Sequence, residues 1–373
     1  MKQLPLLLCL ILLAGSVAAQ TTSISDIIDI YDQEVDHILT GAAAPGAAIV
    51  IVENDRVAYV KCFGIRQVGR PEKVDPHTTF RIASVSKGFA SVLTGILVDE
   101  GRLSWNDPIV DYVPDFMLAD SAATRAMTIR HVLSHTTGLP PHTYDNLLDR
   151  NVPMRVIKDE LKAVSPGYEP GTYSYQNVIF SLIGEAIMTA TGYSYQHQLR
   201  KRLLEPLGMN DASISSQALK LTANLAWPHV RWRNRWVITS MTEGYDDALP
   251  AAGVNASITD MGQWLRALMG GMPDVVPPRV FKEVSTPLVI TRSEHRKYNW
   301  RGRLHSTYYA MGWRVFNYAG TTLVFHGGGL RGYRSQIAIS PKHSVGIAIL
   351  INAQSDYKLL PTFLELYLGL KRK

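Results

Sequence analysis

The feature that most restricts how this chain can fold is where its strand-like segments fall. "GAAIVIVENDRVAYVKCFG" (46–64) reads as two β-rich runs joined by a polar turn at Glu53, Asn54 and Asp55. Comparable signals return only near the other end, in "MGWRVFNYAGTTLVFHGGG" (311–329) and "YRSQIAISPKHSVGIAILIN" (333–352). A lone hairpin is marginal in water, so strands from the two ends have to join one sheet. The segment between them is mostly helical runs and loops broken by Pro and Gly. In it, "SKGFASVLTGILVDEG" has apolar residues at helical spacing and stops at Gly101. Helical stripes also flank the strands: Ile24, Ile27, Ile28, Tyr31, Val35 and Ile38 at one end, and an amphipathic segment near 356–370 at the other. The expectation is an α+β fold with one antiparallel sheet flanked by helices. The sheet region takes about 20–83 and 300–373, and a mostly helical insertion takes about 84–299. With 373 residues, 46% of them hydrophobic, the chain can bury a full core.

The first 20 residues, "MKQLPLLLCLILLAGSVAAQ", run from a cationic Lys2 through an apolar stretch to Val17, Ala18 and Ala19. That is the pattern of a secretory signal peptide (1–19), cleaved after Ala19, and it implies a periplasmic or extracellular protein. The apolar run falls short of the roughly 20 residues that span a bilayer. Cleavage removes Cys9 and leaves Cys62, which cannot form an internal disulfide and reads as a buried, inert thiol. No C-x-x-C, H-E-x-x-H or other metal spacing occurs, so no metal or cofactor is expected. The formal charge of +6 is mild. Two basic stretches, "HVRWRNRW" (229–236) and "RSEHRKYNWRGR" (292–303), read as solvated edges or loops facing an anionic substrate or cell-wall polymer rather than nucleic acid.

Three short motifs carry chemistry. In "FRIASVSKGF" (80–89), Ser84 and Lys87 stand three apart at a helix start, on one face. A serine needs a neighbour to take its proton, and a buried lysine loses part of its preference for the charged form. The same pair would also serve as an N-cap and a surface charge. Ser86 points elsewhere. In "PGTYSYQNVIF" (170–180), Tyr175 and Asn177 follow a Pro-Gly turn. A tyrosine with a depressed pKa shuttles protons, and an asparagine orients a substrate amide or the lysine. In "LVFHGGGLRGYRS" (323–335), a β-run ends in His326 and three glycines, then Arg331 and Arg334. Glycines let a substrate approach the strand backbone, whose N–H groups can bind an extended substrate or an oxyanion.

In this order, S-x-x-K, Y-x-N and H-x-G resemble the three motifs of the penicillin-recognising serine hydrolases. The nearest resemblance is to the branch of class C β-lactamases and D-alanyl-D-alanine carboxypeptidases, which also contains esterases. "HVLSHTTGLPP" (131–141), "LLEPLGMNDASI" (203–214) and "AAGVNASITDMGQWLRALM" (251–269) resemble family segments in the same order. The resemblance therefore spans nearly all of residues 20–373, which it makes a β-lactamase-like catalytic domain. It implies an acyl-enzyme on Ser84, with Lys87 and Tyr175 sharing the base and acid roles and Asn177 positioning the substrate amide. His326, Gly328, Gly329 and Arg331 would bind substrate, and the N–H groups of Ser84 and Gly329 would form the oxyanion hole. His135 of "SHTTGLP" would be structural. Substrates would be β-lactams, D-amino-acid peptides or esters; a penicillin-binding sensor without turnover is the other outcome. The β-lactamases of this branch usually have K-T-G where this chain has "HGG". Arg331 or Arg334 could supply the missing charge. No G-x-S-x-G elbow of an α/β-hydrolase is present.

Overall fold

The computed structural model describes residues 23–42, 44–298, 300–355 and 358–370. The expected signal peptide, Cys9 included, lies outside the described residues. In chain order the elements used below are α1 (Ile24–Ala42), β1 (Gly46–Glu53), β2 (Arg56–Gly64), α2 (Ser86–Asp99), α3 (Ile129–Ser134), α4 (Asp145–Asp149) and α5 (Asn177–Thr191). They continue with β3 (His229–Trp232), β4 (Arg235–Ile238), α6 (Leu249–Ala252), α7 (Ile258–Leu268), β5 (Val289–Ile290) and α8 (Arg292–Tyr298). The chain closes with β6 (Leu304–Tyr309), β7 (Arg314–Tyr318), β8 (Thr321–Leu330), β9 (Tyr333–Ser340), β10 (Val345–Ile351) and α9 (Leu359–Tyr367).

Strands from both ends form one antiparallel eight-stranded sheet, ordered β2-β1-β10-β9-β8-β7-β6-β5. The pairing of β1 with β10, Ala47 opposite Ile351 through Glu53 opposite Val345, closes the chain on itself. Both strands read as continuous apolar runs because both faces of the sheet are covered. Ala48, Val50, Val52, Ala348 and Leu350 join the core that includes α2 and α7. Ala47, Ile49, Ile51, Ile347, Ile349 and Ile351 pack with Tyr31, Val35 and Leu39 of α1 and with Leu359, Leu360 and Phe363 of α9. Of the expected α1 stripe, Tyr31 and Val35 are fully buried while Ile24 and Ile38 sit half-buried at its edges.

The middle of the chain carries most of the helices, together with two small β pieces outside the main sheet. Phe80–Arg81, Val254–Ala256 and Ser213–Ile214 form a three-stranded sheet, and β3–β4 is a separate hairpin. That hairpin is "HVRWRNRW", and it leaves Trp232 exposed. The other basic stretch divides differently: its first half is α8, which buries Glu294. Cys62 sits half-buried in β2, and burial pushes its thiol up to about 11. Among the described residues no helix is long and apolar enough to cross a membrane.

Candidate active site

Ser84 lies in a single 3-10 turn, Ala83–Val85, between the Phe80–Arg81 strand and α2. Ala83 just before it has φ +49°, a left-handed conformation that a residue with a Cβ seldom adopts. The kink turns Ser84 outward. From Thr78 to Leu97 every residue is buried except Ser84. Ser86 is inside, its hydroxyl accepting the Val254 N–H at 3.0 Å, so it is structural.

Lys87 is wholly buried one turn on, with its Nζ 3.4 Å from Ser84 Oγ. Nζ donates to Asn177 Oδ1 at 2.7 Å and to the Ala251 carbonyl at 3.0 Å. A neutral amine has two N–H groups and one lone pair, so these acceptors leave the lone pair for the Ser84 proton. Burial holds the Lys87 ammonium well below an ordinary lysine; nearby Asp145 opposes that shift and Arg314 adds to it.

Asn177 opens α5, and its side chain bridges Lys87 and Asp145. Oδ1 holds Lys87, while Nδ2 and the backbone N–H donate to Asp145 at 2.7 and 3.3 Å. Of the two roles open to it, orienting the lysine is the one its contacts fill. Tyr175 lines the cleft, and its hydroxyl is hydrogen-bonded to Ser84. Its pKa is not depressed: burial raises it, and the charge of Arg314 and the Ser84 bond recover only part of the shift. The phenol therefore keeps its proton over the ordinary pH range. His135, the left-handed C-cap of α3, accepts the Gln176 N–H on Nδ1 at 3.2 Å and carries the Tyr175 loop. That is a structural task.

The strand beside Ser84 is β8. Gly328 meets the Ser84 turn so closely that a Cβ on it would lie 2.2 Å from the Ile82 carbonyl. Gly328, Gly329, Arg331 and Arg334 line the cleft. His326 departs from the expectation. Its imidazole is fully buried and lies outside the cleft lining, so only the glycine backbone of this motif fronts a substrate. It contacts Tyr309 Oη at 3.1 Å and Arg314 Nη1 at 3.0 Å. Arg314 is itself buried and held by Glu294 through Nε at 2.8 Å.

Sequence reasoning missed Asp145, Glu294, Tyr309 and Arg314. Asp145 lies in a loop-rich stretch with no motif. Arg314 looks like any single charge at a strand start, and only the fold reveals its partner in α8. Asp145, Glu294 and Arg314, with Ser84, Tyr175 and Asn177, border a cleft of about 1680 Å³ whose lining also includes Arg231 and Trp232 of β3 and Lys297 of α8. Among the described residues no cluster of three or more His, Cys, Asp or Glu is placed to hold a metal.

A half-exposed serine beside a buried lysine, an asparagine that fixes that lysine and a glycine strand against the nucleophile turn define a serine hydrolase fold of the penicillin-recognising kind. Residues 31–363 match the family described as Beta-lactamase, and the chain belongs to that family. It is 27% identical over 329 residues to Protein flp of Staphylococcus aureus (strain NCTC 8325 / PS 47), covering 87% of this chain and 63% of that one. It is 25% identical over 330 residues to Unguisins hydrolase ungD' of Aspergillus campestris, covering 84% and 59%. The chain thus spans less than two thirds of the length of these relatives. The octameric penicillin-binding protein homologue from Pyrococcus abyssi shares the fold, with a TM-score of 0.81 at 24% identity over 92% of this chain and 78% of that one.

Proposed function

We propose that this chain is an exported serine hydrolase that works through an acyl-enzyme on Ser84, cleaving the amide bond of β-lactams or D-amino-acid peptides. The observation that carries this is the Ser84–Lys87 pair: a solvent-reaching hydroxyl beside a buried amine whose two N–H groups are already committed. Lys87 takes the Ser84 proton as Oγ attacks the substrate carbonyl. The N–H groups of Ser84 and Gly329 receive the oxyanion. Collapse breaks the C–N bond, and the proton returns to the leaving amine through Tyr175, which stays protonated at rest. Water then attacks the ester by the same route and frees Ser84. Arg331 and Arg334 on the cleft wall suit a carboxylate on the substrate. Export rests on the character of residues 1–19, with the periplasm or the extracellular space as destination.

A second reading, a short-chain esterase, is favoured by one observation. The histidine in place of the K-T-G lysine is buried, and its surroundings keep it neutral. The deciding experiment compares purified protein on a chromogenic cephalosporin, a D-alanyl-D-alanine peptide and a short-chain aryl ester, with intact-mass detection of a penicilloyl adduct. Turnover of the first two supports hydrolysis of amides, and turnover of the ester alone supports the second reading. A stable adduct without product indicates a sensor. Activity that survives in Ser84→Ala, with no adduct in the parent, would refute the mechanism.

A further inference from the structure

The acyl-enzyme reading leaves the most heavily buried charges of the site without a task. Arg314 opens β7 and reaches three elements at once. Its Nε and Nη2 lie 2.8 and 3.4 Å from the two oxygens of Glu294 in α8, and Tyr173 Oη donates to the same carboxylate at 3.2 Å. Its Nη1 lies 3.0 Å from His326 Nε2. His326 Nδ1 sits 3.0 Å from the Gly327 carbonyl and 3.3 Å from the same Arg314 Nη1. Nε2 also meets the Tyr309 hydroxyl, at 3.1 Å. On its other side the guanidinium faces aromatic rings, with Cζ 5.4, 5.5 and 5.6 Å from the ring centres of Tyr175, Tyr298 and Tyr309.

We infer that Arg314 is a positioning residue of this site: it fixes His326 beneath the glycine strand and places a permanent positive charge behind Tyr175. The β-lactamases of this branch have a lysine where this chain has His326, and Arg314 returns a cation to that neighbourhood from the adjacent strand. This inference rests on the Ser84–Lys87 reading above and adds a control on it.

The charge acts on Lys87. Nζ and Arg314 Cζ lie 4.8 and 5.4 Å from the Tyr175 ring centre, so the two cations are at most about 10 Å apart. The groups facing Lys87 are Ser84 from its own turn, Tyr175 and Asn177 from α5 and its loop, and the Ala251 carbonyl from α6. Asp145 of α4, His135 after α3, and His326 and Arg314 of the sheet complete them. Of the charged members, Asp145 favours the ammonium and Arg314 opposes it. Removing the Arg314 charge should move the acidic limb of reactivity up by about one pH unit at an effective dielectric near 20.

The test reads the rate of Ser84 labelling by a fluorophosphonate against pH. In that step Ser84 Oγ bonds to phosphorus, fluoride leaves with the P–F electron pair, and the serine proton passes to Lys87. The parent is compared with Arg314→Met, Arg314→Lys and the double variant Arg314→Met/Glu294→Gln, which leaves no unpaired buried carboxylate. The expected result is an acidic limb about one unit higher in Arg314→Met. In the double variant it should rise less, because the Glu294 charge leaves too. In Arg314→Lys it should stay near the parent position with a rate lowered about tenfold, since lysine keeps the charge and loses the fork. A folded variant set whose rates fall uniformly, with the limb unmoved, overturns the inference and leaves the acyl-enzyme reading intact. A parent that never labels at Ser84 overturns both.

Discussion

Replacing Gly328 by Ala would put a methyl group 2.2 Å from the Ile82 carbonyl oxygen and 2.2 Å from Ser335 Oγ, with Ala83 Cβ at 3.2 Å. Neither oxygen moves easily. Ile82 is the residue from which the Ser84 turn springs, and its carbonyl accepts Ser335 Oγ at 2.6 Å. Ordinary contact begins at 3.4 Å, so β8 and the nucleophile turn must separate by roughly 1 Å. Such a displacement falls on the gap between the N–H groups of Ser84 and Gly329. A misplacement of that size costs about 10²-fold, and loss of one oxyanion donor about 10²- to 10³-fold. Gly328→Ala should therefore acylate Ser84 at least about 100-fold more slowly, close to 3 kcal/mol in the barrier. Overpacking should cost about 1–3 kcal/mol of stability, which leaves a folded protein to measure.

The neighbouring glycines supply the control. A Cβ on Gly329 would meet the end of the Arg334 side chain, at 2.9 Å, and one on Gly327 the Phe325 ring edge and the Tyr298 hydroxyl, both at 3.3 Å. None of the three has a positive φ, so contact alone separates them. Gly327→Ala and Gly329→Ala should stay within about threefold of the parent. Stopped-flow acylation with a fluorophosphonate or chromogenic cephalosporin, beside thermal unfolding, reads both quantities. The reasoning fails if Gly328→Ala acylates within threefold of the parent while folded, or if Gly329→Ala is as slow.

Asp145→Asn removes the anion that favours the Lys87 ammonium, so the acidic limb of the pH–rate profile should move down, opposite to the shift expected for Arg314→Met. A limb that stays or moves up would exclude Asp145 from that balance. Lys87 also links stability to pH. Its folded pKa lies well below the unfolded value of 10.5, so over the window between the two the unfolded chain holds a proton the folded one lacks, and stability rises with pH. Urea unfolding between pH 6 and 9 should show that rise flattened in Lys87→Met; an identical slope would refute the burial argument. Ser86→Ala should strand the buried Val254 N–H and cost about 1–3 kcal/mol in unfolding experiments. The labelling rate at Ser84 should stay within about threefold, and a loss as deep as that of Ser84→Ala would make Ser86 part of the chemistry.

Much of this fold is legible because both faces of its sheet are covered. Uninterrupted runs such as "GAAIVIV" and "VGIAILI" suit only a strand buried on both sides, and their positions at opposite ends leave one way to pair them. Ser84, Lys87, Tyr175 and Asn177 are legible because each pair stands at a spacing that local structure turns to one side. Asp145, Glu294 and Arg314 are not, since each is defined by a partner far along the chain: Asn177 is 32 residues from Asp145, and Arg314 is 20 from Glu294. His326 shows the limit of motif reading. Its position is the one the motif names, and as the residue two before Gly328 it shares the strand face turned toward the Ser84 turn. What the imidazole meets there depends on a residue of the next strand, which no spacing within "HGG" encodes.

Those long-range partners decide the chemistry. Lys87 is buried at the seam between the helical region and the sheet, and a buried amine with no counter-field would simply stay neutral and weakly reactive. Here the helical side contributes Asp145, working through Asn177, and the sheet side contributes Arg314, backed by Glu294. The two fields oppose each other at Lys87. Burial does most to lower the basicity of Lys87, and the approach of the two regions adjusts it through these opposed charges. Gly328 measures that approach directly, because it admits the strand to the nucleophile turn with no room for a methyl group. The same close contact that would build an oxyanion wall also sets β8 against the turn that carries Ser84.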